Sequence, residues 1–82
     1  MKHAGAAALD RLEPLLTELR ALLGLKETAR GVFYRRSRAF LHFHEDPTGL
    51  HADLRIEGSD FDRYRVETPD ERAALIARVR AS

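Results

Sequence analysis

A single hairpin limits the possible folds of this chain more than any other feature. Leu50-His51-Ala52-Asp53-Leu54-Arg55-Ile56 alternates apolar and polar residues at the period of a strand. Just ahead, Asp46-Pro47-Thr48-Gly49 places aspartate, proline and glycine where a tight turn favours them. Before the turn, Arg38-Ala39-Phe40-Leu41-His42-Phe43-His44-Glu45 has the aromatic-rich character of a second strand. Two strands joined this closely are antiparallel neighbours. If Glu45 opposes Leu50, then Phe43 opposes Ala52 and Leu41 opposes Leu54, which makes one apolar face. On the other face His44 opposes His51, His42 opposes Asp53, and Phe40 opposes Arg55. A slip of one residue sets Phe43 beside Asp53 and mixes the faces, so the hydrophobic pattern selects the first register.

Weaker strands flank this pair. Gly31-Val32-Phe33-Tyr34-Arg35 precedes it across the short polar break Arg36-Ser37, and Phe61 to Val66 follows the turn Glu57-Gly58-Ser59-Asp60. Leu9, Leu12, Leu16, Leu19 and Leu23 recur at helical spacing, widened by Leu15 and Leu22. That predicts a helix over 11–23, with Asp10 and Glu13 as a capping box, Pro14 in the first turn and Gly24 as the stop. Thr68-Pro69-Asp70-Glu71 predicts the start of a last helix, whose buried side is Leu75, Ile76 and Val79. Its Arg72, Arg78 and Arg80 should face water. Residues 1–8 are expected as a flexible tail and 9–82 as a single domain. The fold class is α+β: an N-terminal helix, a four-stranded antiparallel meander and a C-terminal helix. Both helices are expected on one sheet face, leaving the other open.

At 82 residues there is room for one small core, burying only about 60% of the unfolded surface. With 14 lysines and arginines against 13 acids, overall charge does not point to a nucleic acid or a membrane surface. The chain has no cysteine, which excludes disulfides, thiolate zinc sites, iron–sulfur clusters and a cysteine nucleophile. No apolar run approaches the roughly 20 residues of a membrane-spanning helix. The first residues lack a signal-peptide pattern, so a cytoplasmic protein is expected. The preference for arginine over lysine, with many alanines, suggests a GC-rich bacterial genome. There is no nucleophile elbow, Walker loop or dinucleotide fingerprint, so an enzyme is not the first expectation.

Three functions compete for the open sheet face. His42, His44, His51 and Asp53 lie on adjacent strands, with opposed Cβ atoms roughly 4.5–5.5 Å apart. Imidazoles and a carboxylate in that arrangement suit a divalent transition metal such as zinc or nickel, with hydrolysis as an accompanying chemistry. Phe33, Arg35, Arg38, Phe40 and Arg55 form a second group. If Arg35 opposes Arg38, Phe33 and Phe40 sit together on the open face. An exposed phenylalanine pair rimmed by charge fits a non-catalytic module that self-associates as a homodimer, and this is the leading expectation. The same arginines and aromatics suit a nucleic acid or another anionic ligand less well, since Asp53, Glu57, Asp60 and Asp62 dilute the positive charge.

Overall fold

The computed structural model describes residues 2–82. In chain order the elements are β1 (Lys2–His3), α1 (Ala6–Arg20), β2 (Lys26–Ala29), β3 (Val32–Arg35), β4 (Arg38–Asp46), β5 (Gly49–Leu54), β6 (Asp62–Arg65) and α2 (Pro69–Ala81). The strands form one antiparallel sheet in the order β2-β3-β4-β5-β6, and β1 pairs with β4. The fold is therefore α+β, as the patterning predicts, but with six strands among the described residues instead of four.

The two additional strands carry no side-chain pattern. β2 is Lys26-Glu27-Thr28-Ala29, a polar edge strand in which only Glu27 is partly buried. β1 is two exposed residues joined to β4 as Lys2↔Glu45 and His3↔His44. Both are held by backbone pairing, which hydrophobic periodicity cannot register. Where a flexible tail is expected at 1–8, Lys2–His3 form a strand and Ala6 opens α1; Met1 lies outside the described residues. Glu45 anchors the entry to that helix, since the N–H of Gly5 donates to its Oε2 at 2.6 Å.

Helix α1 also differs from its expected span. It begins at Ala6 with Gly5 as its N-cap, so Asp10 and Glu13 lie inside it and form no capping box. They instead pair with Arg30, at 2.9 and 2.8 Å. Pro14 falls in the helix interior, where its missing N–H costs about 3 kcal/mol. Burial of Leu12, Leu15, Leu16 and Leu19 outweighs this, at about 1.5–3 kcal/mol for each side chain. The helix ends at Arg20, and Leu23, expected on the buried stripe, is 99% exposed.

The central hairpin takes the register that keeps the faces apart. Leu41↔Leu54, Phe43↔Ala52 and Glu45↔Leu50 alternate with His42↔Asp53 and His44↔His51. Leu41, Phe43, Leu50, Ala52 and Leu54 join one core cluster with buried side chains of α1 and with Leu75, Ile76 and Val79 of α2. Ladder pairing in β5 ends at Leu54, and Ile56 is 44% exposed.

The pairing of β3 with β4 corrects a second expectation. Arg35 does oppose Arg38, but the register shifts beyond Tyr34↔Ala39, so that Phe33 opposes Leu41 and Phe40 becomes an extra residue. Such a bulge re-aims side chains. Phe33 and Phe40 are only 1% and 4% exposed and belong to the core cluster. The exposed phenylalanine pair is therefore absent, and two aromatic rings enter the core of a chain with little core to spare.

Helix α2 starts as its sequence predicts. The Thr68 side chain accepts from the Glu71 N–H at 3.2 Å, and the Glu71 carboxylate accepts from the Thr68 N–H at 2.9 Å. Thr68→Ala is expected to cost about 1 kcal/mol, measured as a lower urea midpoint at unchanged slope. Arg78 and Arg80 are exposed, as expected, with the Arg78 guanidinium 4.3 Å from the centre of the Tyr64 ring; Arg72 is instead half-buried, its Nε donating to the Val66 carbonyl at 2.8 Å. No helix among the described residues is long and apolar enough to cross a membrane.

Candidate metal centre

Strand alternation assembles the site. His42 and His44 are two residues apart on β4, and so they share a face. Across the hairpin, β5 places Asp53 opposite His42 and His51 opposite His44. From β1, His3 lies opposite His44. From β6, Arg63 lies opposite Asp53 and Arg65 opposite His51. All four histidines of the chain thus lie on one sheet face, away from Leu41, Phe43, Ala52 and Leu54.

One donor atom from each of His42, His44 and Asp53 lies within 4.8 Å of the others. Asp53 Oδ2 is the hub, 3.4 Å from His42 Nε2 and 3.2 Å from His44 Nε2. The His42 and His44 rings meet edge to face at 4.9 Å. His3 stacks on His44 at 4.6 Å between centroids and lies 5.7 Å from His42. Phe61 closes the far side, its ring 4.9 Å from that of His42.

The sequence-derived site is only partly assembled. His51 belongs to the same face but turns to the β4–β5 turn, with its Nε2 3.5 Å from Asp46 Oδ1 and 3.3 Å from Thr48 Oγ1. That turn offers a local carboxylate and hydroxyl closer than the cluster does. His3 was not expected here; its segment carries no pattern that places it. Arg63 was legible, because its alternation with Tyr64 puts it on the histidine side. Of the second group, Phe33 and Phe40 are in the core, while Arg35, Arg38 and Arg55 gather at the end of the sheet beyond Phe61.

Charge at the site is divided between Asp53 and its neighbours. Arg63 grips Asp53 with two parallel bonds, Nε to Oδ1 at 2.7 Å and Nη2 to Oδ2 at 2.8 Å. Those bonds hold the Asp53 carboxyl below its ordinary value despite its burial, so it is ionised. For His42 and His44, loss of solvent is the largest influence and lowers both pKa values, although Asp53 pulls the other way. Both imidazoles are therefore neutral at pH 7, the form a metal requires.

His44 is the anomaly. It is 9% exposed, and neither ring nitrogen makes a well-aligned hydrogen bond to a side chain: Nε2 lies 3.2 Å from Asp53 Oδ2 without alignment, and a backbone group of Lys2 lies nearby. An orphaned buried polar group costs about 1–3 kcal/mol.

The lowered histidine values set a pH dependence. The unfolded chain binds protons at His42 and His44 near pH 6.5, where the folded chain does not yet. Stability is then full above that pH and declines as pH falls below it. Urea midpoints of metal-free protein are expected to drop between pH 7 and pH 5, and less so in a His42→Phe/His44→Phe double variant.

Comparison with protein-family models, with curated proteins and with solved structures finds no match to this chain.

Proposed function

We propose that this protein binds one divalent transition-metal ion, zinc or nickel, through His42, His44 and Asp53. The observation that carries this is the largely buried His44, whose ring nitrogens make no well-aligned side-chain hydrogen bond although they sit beside an ionised carboxylate and a second neutral imidazole. A metal ion would accept the lone pair that no protein donor meets. Two of the three donor separations support the same conclusion. Ligands about 2.0–2.1 Å from a tetrahedral ion lie about 3.3–3.4 Å from each other. The two imidazole-to-carboxylate separations are 3.4 and 3.2 Å. Arg63 does not exhaust Asp53, because a carboxylate offers about four lone-pair positions and the guanidinium takes two. It serves as the outer partner that orients a metal-bound carboxylate.

The site is read as lying on an open sheet face, with both helices on the opposite one. The single core cluster of helix residues with Leu41, Phe43, Ala52 and Leu54 supports that layering. Three protein ligands leave a coordination position for water, which a bound metal acidifies, so hydrolysis is the chemistry to screen first. Self-association through Phe33 and Phe40 loses its apolar anchors, since both rings are buried within the chain.

Native mass spectrometry of untagged protein, before and after adding Zn²⁺, tests the proposal. One ion per chain is expected, lost in His42→Ala and in His44→Ala and retained in His51→Ala. An ion that survives both cluster substitutions, or no ion in the parent protein, overturns it.

A further inference from the structure

The twelve arginines of this chain fall into three groups, one of them being Arg72, Arg78 and Arg80 of α2, which have no carboxylate within ion-pair distance among the described residues. Arg11, Arg20, Arg30, Arg63 and Arg65 each have a carboxylate within ion-pair distance. Arg35, Arg36, Arg38 and Arg55 have no Asp or Glu partner among the described residues, and all four line one cleft at the end of the sheet, where Arg35 is already engaged by the hydroxyl and main-chain oxygen of Ser82. That cleft lies between the β3–β4 turn and the segment after β5, with a volume of about 470 Å³ and a single acid, Glu57, in its lining. Three guanidinium groups that neither Ser82 nor an acidic side chain engages, Arg36, Arg38 and Arg55, share a cleft with one acidic side chain, a local excess in a chain whose net charge is +1. Like charges gathered in a concavity repel one another unless an anion is bound between them.

The guanidinium groups are also held in place. Arg35 donates to Ser82 Oγ at 2.5 Å and to the Ser82 carbonyl at 3.0 Å, and lies 5.1 Å from the Phe40 ring centre. Arg38 donates to the Gly58 carbonyl at 3.2 Å. Arg55 donates to the Ala39 carbonyl and lies 4.8 Å from the Phe61 ring centre. Each guanidinium has five N–H donors, so most remain free after these contacts. Arg36 is presented by a strained turn. It and Ser37 have φ values of 53° and 65°, a conformation that glycine or asparagine adopts more cheaply. Ile56, 44% exposed, adds an apolar surface to the same cleft.

We propose that this cleft binds a small phosphate monoester, its dianion held by Arg36, Arg38 and Arg55 and its organic part lying against Ile56. Arginine forks match phosphate oxygens in pairs, and the volume falls in the range of small-ligand sites, about 300–1,000 Å³. A nucleic-acid strand fits less well. The arginines converge on one hollow instead of forming a stripe, and Asp60 and Asp62 stand exposed just beyond it.

Phenyl phosphate, with inorganic phosphate beside it, is the probe. Titration of the full chain, followed by ¹⁵N–¹H correlation spectra, is expected to shift the amides of residues 36–40 and 55–58. Phenyl phosphate should bind more tightly than inorganic phosphate, because only it uses Ile56. Arg38→Gln and Arg55→Gln should each weaken binding about tenfold or more. Arg80→Gln, an exposed arginine outside the cleft, should leave it unchanged, and the spectra report whether each variant is folded. No shift at millimolar phenyl phosphate, shifts elsewhere, or equal weakening by Arg80→Gln overturns the assignment. Binding of a single-stranded oligonucleotide without phenyl phosphate binding overturns it in favour of nucleic acid.

Discussion

Zinc at a hundred times its dissociation constant is expected to raise the midpoint of thermal unfolding by about 10–20 °C. An ion that binds only the folded chain contributes about 2.7 kcal/mol at that excess. For a domain of this size each kcal/mol moves the midpoint by about 4–8 °C. Selectivity for the folded chain follows from the register: His42 and His44 come from β4 and Asp53 from β5, and only their pairing brings the three donors together. The informative variant is His44→Phe. It keeps the buried volume and removes two nitrogens that make no well-aligned side-chain hydrogen bond, a replacement that is nearly neutral or stabilising when no ion is bound. Its metal-free midpoint should match or exceed that of the parent, and its response to zinc should vanish. A full zinc response in His44→Phe would remove His44 from the ligand set.

Phe43→Ala should cost about 3–5 kcal/mol. Phe43 is 3% exposed and faces the core cluster between two histidines that face the other way. A chain of this length is stabilised by roughly 4–12 kcal/mol in all, so this one truncation removes a large part of the total. His42→Ala, one residue away on the histidine face, should cost about 1 kcal/mol or less without metal, because its side chain is partly solvated. Urea unfolding of the two variants side by side measures the difference. Equal costs would mean that the two faces of β4 are wrongly assigned.

How the candidate site arises shows which parts of the molecule a pattern can reveal. Leu41, Phe43, Ala52 and Leu54 alternate with His42, His44, His51 and Asp53, and the apolar set has to be buried. Because side chains alternate strictly along a strand, placing one set in the core puts the other on the opposite face, so the histidine face and its register were legible from the sequence. The Thr68 cap was legible for a similar reason, since a cap depends on residues three apart in the chain.

Other features depend on contacts between distant residues. Asp10 and Glu13 have the spacing of a capping box, yet the helix runs past them to Ala6, because Gly5 binds Glu45 forty residues away. Phe40 follows the open-face parity of β4, but the bulge against β3 turns it into the core with Phe33. His3 reaches His44 through a two-residue strand with no side-chain signature, and His51 leaves the cluster for Asp46 and Thr48. The four arginines of the cleft come from separate segments and meet only where the sheet ends. The sequence by itself determined the α+β class, the central hairpin and its two faces, because local periodicity and turn chemistry act within a few residues. Tertiary structure alone decided the number of strands, the place of the phenylalanines and the membership of both clusters. Those depend on backbone pairing and on which partner lies nearest in space, and neither leaves a periodic trace in the chain.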